Sequence, residues 1–276
     1  MTDIRIWHQS FTVLSDLGDY DKALREHFAR VSRPGTIIDM HGMRPGSYQS
    51  NYPGDDIKYG VLQYLHGLQF LLNGIRAERE GYDAYAISTL PEPTLRETRS
   101  ALGIPVVGYG ESAMLSACDL GERFGVLVFI DELAELVACN VGRLGLASRF
   151  SGARHAGFRF ADVLEGFASP ARLIDRFRAA ARDLVRAGAN VIIPGEAPLN
   201  VLLAREGIQE VDGVPVLDSL ACWIKQAEML VDRQRMNHYV VQRGGYFDAH
   251  PEMARLLEVI DFYGLGSLLE SQETGR

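Results

Sequence analysis

Residues 81–95 read GYDAYAISTLPEPTL, and residues 188–202 read GANVIIPGEAPLNVL. Each stretch opens on a glycine suited to ending a helix. Two positions on stands Asp83 or Asn190, followed by an apolar run, a polar loop and a helical pattern. A second matched pair follows: GIPVVGYGES at 103–112 and GVPVLDSLA at 213–221. Both give a short G-[IV]-P-V strand and then a helix. Two copies of one strand–loop–helix plan predict two similar α/β domains related by a pseudo-twofold axis. We place the first at residues 1–112 plus 220–276 and the second at 113–219.

The rest of the chain fits this plan. Short β-rich runs are expected at Ile4–Trp7, Gly35–Met40, Ala84–Ser88, Pro105–Gly108, Gly125–Ile130, His155–Phe160, Val191–Pro194 and Val214–Asp218. Several are apolar throughout, as strands covered on both faces are. Helical patterns fall near 19–32, 57–79, 93–102, 111–121, 131–144, 170–187, 198–206 and 219–235. The 170–187 pattern follows Ser169-Pro170, sets Leu173, Ile174, Phe177, Ala180, Ala181, Leu184 and Val185 on one face, and stops at Gly188. Alternating strands and helices predict parallel sheets, which bind ligands beyond the carboxyl ends of their strands.

Composition narrows the function. The chain has 276 residues, 47% apolar and 23% charged, with a formal net charge of −8. That is ordinary for a folded protein and disfavours nucleic acid as a partner. Three cysteines at wide spacing, with no CxxC pair, indicate neither a disulfide framework nor a thiolate metal site. The seven histidines lack HxH, HxxxH or HExxH spacing, so no metal is expected, although His8, His41 and Glu196 could meet in space. GYGES is not a dinucleotide-binding glycine motif, and no other cofactor is indicated. The amino terminus lacks a secretory pattern and the apolar run at 124–130 is too short to cross a membrane. A cytoplasmic protein with a small-molecule substrate is expected, with no membrane partner, assembling as a homo-oligomer.

The repeat singles out Thr89 and Glu196, each eight positions after its opening glycine and just past its strand. In paired domains these loops face one another across a cleft. Glutamate can give or take a proton, while threonine is a poor acid/base but a good hydrogen-bonding partner. Each also suits a helix start, Thr89 as a cap and Glu196 as a complement to the dipole. Neighbouring candidates for substrate binding are His8, Gln9 and Ser10 after the first strand, the Leu90 and Ala197 amides, Ser112 and Ser219 at helix starts, and Tyr48 in a polar, aromatic loop running to Tyr52. Glu111 is read as a cap or an orienting group.

The ordered set IRIWHQS (4–10), RPGT (33–36), GYDAYAIS (81–88), GIPVVGYGES (103–112), RFGVLV (123–128), GANVIIPGEAPL (188–199) and VPVLDSLA (214–221) resembles the aspartate/glutamate/hydantoin racemase superfamily, most closely its hydantoin racemase branch. The resemblance spans roughly residues 3–235. It implies two flavodoxin-like domains with the active site between them and one acid/base cysteine in each strand-end loop. Related members with a single thiol decarboxylate their substrates. Thr89 and Glu196 stand where the resemblance places those thiols. Cys118, Cys139 and Cys222 fall in helical patterns and read as buried structural residues. The expected chemistry is therefore acid/base catalysis by Glu196 on a small, carbonyl-activated ring or dicarboxylate, with Thr89 and loop amides holding an oxyanion. The alternatives are hydrolase or lyase chemistry on a hydantoin-like ring, with Glu196 activating water, and a ligand sensor without catalysis. After Arg235 a Gly244-Gly245 turn precedes a short helix with Leu256, Leu257, Ile260 and Phe262 on its apolar stripe, expected to pack on the first domain or on a neighbouring subunit.

Overall fold

In a computed structural model that describes residues 3–238 and 240–269, the two copies of the repeat become equivalent strands in two parallel sheets. Gly81 and Gly188 both take positive φ, 77° and 94°, which ends the preceding helix without Cβ strain. Asp83 then accepts a hydrogen bond from the Arg5 amide at 2.8 Å, and Asn190 accepts one from the Arg123 amide at 3.1 Å. The same position thus pins the incoming strand to its neighbour in each half.

The first half contains β1 (Ile4–Gln9), α1 (Gly18–Val31), β2 (Thr36–His41), α2 (Gly54–Ile57), α3 (Gly60–Arg79), β3 (Ala84–Ile87), α4 (Leu95–Ala101), β4 (Val106–Gly108) and α5 (Tyr109–Leu120). The second contains β5 (Phe124–Val128), α6 (Leu133–Arg143), β6 (Phe150–His155), α7 (Phe160–Gly166), α8 (Ala171–Arg186), β7 (Val191–Pro194), α9 (Ala197–Arg205), β8 (Glu210–Val211), β9 (Val214–Pro215) and α10 (Ser219–Arg235). A last helix, α11, spans Met253–Phe262. Strand order is β2-β1-β3-β4 in one sheet and β6-β5-β7 in the other, where Val216 extends the row through a parallel bridge to Ile192. The two orders match strand for strand. Buried apolar residues of both sheets form one continuous core.

Two expectations shift. The strand expected at His155–Phe160 lies at Phe150–His155. The alternating HAGFRF pattern turns instead at Gly157, with φ 78°, and Asp162 accepts from the Arg159 amide at 2.8 Å to start α7. The long helix expected at 57–79 is broken by Lys58-Tyr59 into α2 and α3.

The chain after α10 packs on its own first half. Arg243 donates to the carbonyls of Arg99, Ser100 and Leu102 at the end of α4. On α11, Ile260 is buried and Leu256 and Leu257 are partly buried against the core, but Phe262 is 81% exposed and leaves the expected stripe. No helix among the described residues is long and apolar enough to cross a membrane.

Candidate active site

The chain leaves β3 through Ser88-Thr89-Leu90 and leaves β7 through Gly195-Glu196-Ala197. The two loops meet. A Cβ on Gly195 would stand 2.6 Å from the Leu127 carbonyl oxygen and 3.0 Å from the Leu90 Cδ2. The Leu127 carbonyl of β5 leaves no room for a side chain there, and the Leu90 side chain, next to Thr89, packs against the same glycine. Thr89 and Glu196 line one pocket.

Glu196 is 7% exposed and precedes α9 in an extended conformation, φ −104° and ψ 140°. Its side chain does not cap that helix. Oε1 accepts from the amides of Phe129 at 2.9 Å and Ile130 at 3.2 Å, just past β5. Oε2 is buried with no partner among the described residues. Burial raises the carboxyl to about 8, and the two amide hydrogen bonds only partly offset it. Thr89, 9% exposed, makes no side-chain hydrogen bond among the described residues, so its hydroxyl is available to a ligand.

The remaining walls are mostly apolar. Tyr52 and Phe160 stack across the pocket from opposite halves, centroids 4.9 Å apart and planes 15° apart, and Phe129 lies 6.0 Å from Phe160. Among the described residues, no lysine, arginine or histidine lines the pocket. A ligand seated here would meet aromatic faces, hydroxyls of Ser10, Thr12, Ser88 and Thr89, and one carboxyl group.

Of the residues expected to bind substrate, Ser10, Leu90 and Ala197 line the pocket; His8, Gln9, Tyr48, Ser112 and Ser219 do not. His8 is fully buried between Phe28 and Trp223, and burial lowers its imidazole to about 3. Strand alternation sends it to the helix-covered face of its sheet rather than to the strand end. Gln9 is buried and accepts from Asn73 and Trp7. The Tyr48 hydroxyl donates to the Phe11 carbonyl at 2.7 Å, so it braces a lining residue instead of meeting ligand. Ser112 donates to the Gly108 carbonyl at 2.6 Å, and Ser219 is buried beside the Tyr109 hydroxyl. Glu111 pairs with Arg99 through both carboxylate oxygens.

One further correction concerns sulfur. Cys139 is exposed, and Cys118 and Cys222 are only partly buried, so none is a fully buried core residue. None lines the pocket. His8, His41 and Glu196 do not converge; no group of three or more potential metal ligands occurs among the described residues. Leu90 and Ala197, whose amides were expected to meet substrate, both line the pocket, and a second amide pair, from Phe129 and Ile130, holds Glu196 itself.

The repeat also reaches those two amides. Ile6 pairs with Ala84, and Phe124 pairs with Val191. Ala84 and Val191 are equivalent in the repeat, so Phe129 and Ile130 correspond to Phe11 and Thr12. The same register carries both to the cleft, opposite Phe11 and Thr12 of the first half.

Residues 44–227 match the family described as Asp/Glu/Hydantoin racemase. The hydantoin racemase of Pseudomonas sp. (strain NS671) is 28% identical over 191 residues, covering 69% of this chain and 71% of that protein. The hydantoin racemase of Rhizobium meliloti is 29% identical over 161 residues, covering 56% and 63%. Among solved structures, the allantoin racemase of Klebsiella pneumoniae superposes with a TM-score of 0.70 at 18% identity, covering 91% of this chain and all of that one. The fold it shares is the two-domain flavodoxin-like arrangement. With the matched segment covering about two thirds of its length, this chain belongs to the Asp/Glu/hydantoin racemase family.

Proposed function

We propose that this protein is an acid/base enzyme that moves a proton at a carbon next to a carbonyl in a small, uncharged ring such as a cyclic ureide or imide. The observation that carries the reading is the Glu196 carboxyl: one oxygen fixed by two amides, the other unpartnered in a buried pocket shared with Thr89. In this reading Glu196 Oε2 takes the carbon-bound proton. The electron pair moves onto the carbonyl oxygen, and the Thr89 hydroxyl donates a hydrogen bond to that oxygen. Glu196 then returns a proton to carbon. A carboxyl raised to about 8 is suited to both directions near neutral pH.

The substrate class follows from the walls. A dicarboxylate would enter a site with no lining cation and an acidic side chain, an unfavourable burial of like charge. A flat, neutral ring instead matches the Tyr52, Phe129 and Phe160 faces. Relatives named for hydantoin and allantoin handle rings of that kind.

The test is solvent deuterium incorporation into 5-substituted hydantoins and related imides, followed by NMR. The expected result is exchange at the ring carbon, with Glu196→Gln slowing it at least ~10²-fold while the far-UV CD is unchanged. Full exchange in Glu196→Gln overturns the assignment of the residue. Ring opening without exchange overturns the reaction and points to water activation instead.

A further inference from the structure

A second, open cleft lies on the first half, beyond the carboxyl ends of β1 and β2. Three residues of α3 at successive turns face it: Gln69, Asn73 and Arg76. Gln69 and Asn73 are each only 7% exposed. Polar side chains buried to that degree are normally paired. Asn73 donates to Gln9 at 2.8 Å. Gln69 makes no side-chain hydrogen bond with any described residue. On the opposite wall His41 stacks on Trp7 at 3.5 Å, and its Nε2 is buried with no partner among the described residues.

Charge gives the ligand its sign. Arg25, Arg44 and Arg76 line the cavity. Asp21 pairs with Arg25 and Glu80 with Arg76, while Arg44 donates to the Ser267 carbonyl. Three guanidinium groups thus face two carboxylates, and each keeps N–H donors free of these bonds. Leu268, brought in by the chain after α11, closes one side. Among the described residues the cleft therefore holds an excess of positive charge and a Gln69 amide that reaches the cleft without a protein partner, and it shares no lining residue with the Glu196 pocket.

We propose that this cavity is a second ligand site, which takes a small organic anion, a carboxylate or a phosphate, on the Gln69 amide and the Arg44 and Arg76 guanidiniums. Binding to the native state alone raises thermal stability in proportion to occupancy. The test is thermal unfolding of the full chain at pH 7 in about 10 mM sodium succinate or sodium phosphate, against sodium chloride of equal ionic strength. For millimolar affinity at least one probe raises Tm by about 2–4 °C over chloride. Response to succinate alone identifies a carboxylate ligand, and response to phosphate alone a phosphate ligand; both support the site. The rise disappears in Gln69→Leu, falls by at least half in Arg44→Gln, and persists in Glu196→Gln, which alters only the reaction pocket. Should Gln69→Leu fail to fold, Arg44→Gln decides alone. No rise over chloride from either probe overturns the proposal. So does a rise unchanged in the cavity variants, or one lost in Glu196→Gln.

Discussion

Glu196 is held in a position that costs the protein stability, and the cost is measurable. Its carboxyl titrates near 8 in the folded chain against an ordinary value of 4.5. Between those values the native state binds a proton that the unfolded chain has released. Stability from this group is therefore full below pH 4.5 and is lost as pH rises to about 8. Glu92, buried under the Glu111 amide and raised by burial to about 7, adds loss of the same sign over a narrower range. Urea unfolding at pH 5 and pH 8.5 should show the wild type losing on the order of 3 kcal/mol more than Glu196→Gln; equal losses would mean the carboxyl is not buried as described. Proton abstraction needs the carboxylate, so kcat/KM for exchange should climb with pH and level off above about 8. Thr89 sets the opposite limit. A hydroxyl carries protons poorly, so exchange should outrun inversion, and Thr89→Cys should raise the ratio of inversion to exchange several-fold by supplying a titratable group. An unchanged ratio, read by chiral chromatography beside NMR exchange, would remove Thr89 from the second face. The repeat puts both residues at the same offset, and in the structure both line one pocket. His8 was misread because proximity in sequence to a strand end says nothing about which face of a fully covered strand a side chain takes. Glu196 Oε1 found its amides across the sheet, a partner that no local motif encodes.

At the scale of elements, the repeat reports a mechanical task. Asp83 and Asn190 differ in charge yet accept the same backbone hydrogen bond from the neighbouring strand. That shared role is why two fifteen-residue stretches could announce two similar α/β halves with parallel sheets, while the strand order itself came from the structure. The elements that departed lacked such pins. HAGFRF alternates like a strand, but Gly157 and the Asp162 cap turn it into the start of a helix. The chain after α10 was legible as a helix, while its docking depended on Arg243, an exposed-looking residue in a polar stretch. That arginine serves three carbonyls at the end of α4. Arg243→Ala should therefore lower the unfolding free energy by about 1–2 kcal/mol, measured by urea denaturation. A change near zero would show that water satisfies the end of α4 equally well.

Over the whole molecule, the covering helices are exchanged between the halves. α5 follows β4 of the first sheet yet packs on β5 and β7 of the second, while α10 follows β9 of the second yet packs on β1, β3 and β4 of the first. Trp223, on α10, is fully buried and donates to the Val107 carbonyl in β4. α5 and α10 also pack on each other. Removing either half would strip the other of a helix that covers its core, exposing apolar surface at about 25 cal/mol per Å². The same exchange holds the Thr89 and Glu196 loops in contact, because neither sheet can swing away without uncovering its neighbour. The two halves should consequently unfold together despite being separate sheets. Tryptophan fluorescence reports the first sheet through Trp7 and Trp223, and far-UV CD reports helices of both halves. Their urea transitions should coincide in midpoint and slope. A fluorescence transition clearly separated from the CD transition would show that one half survives alone, and the reaction pocket would then be a hinge rather than a fixed seam.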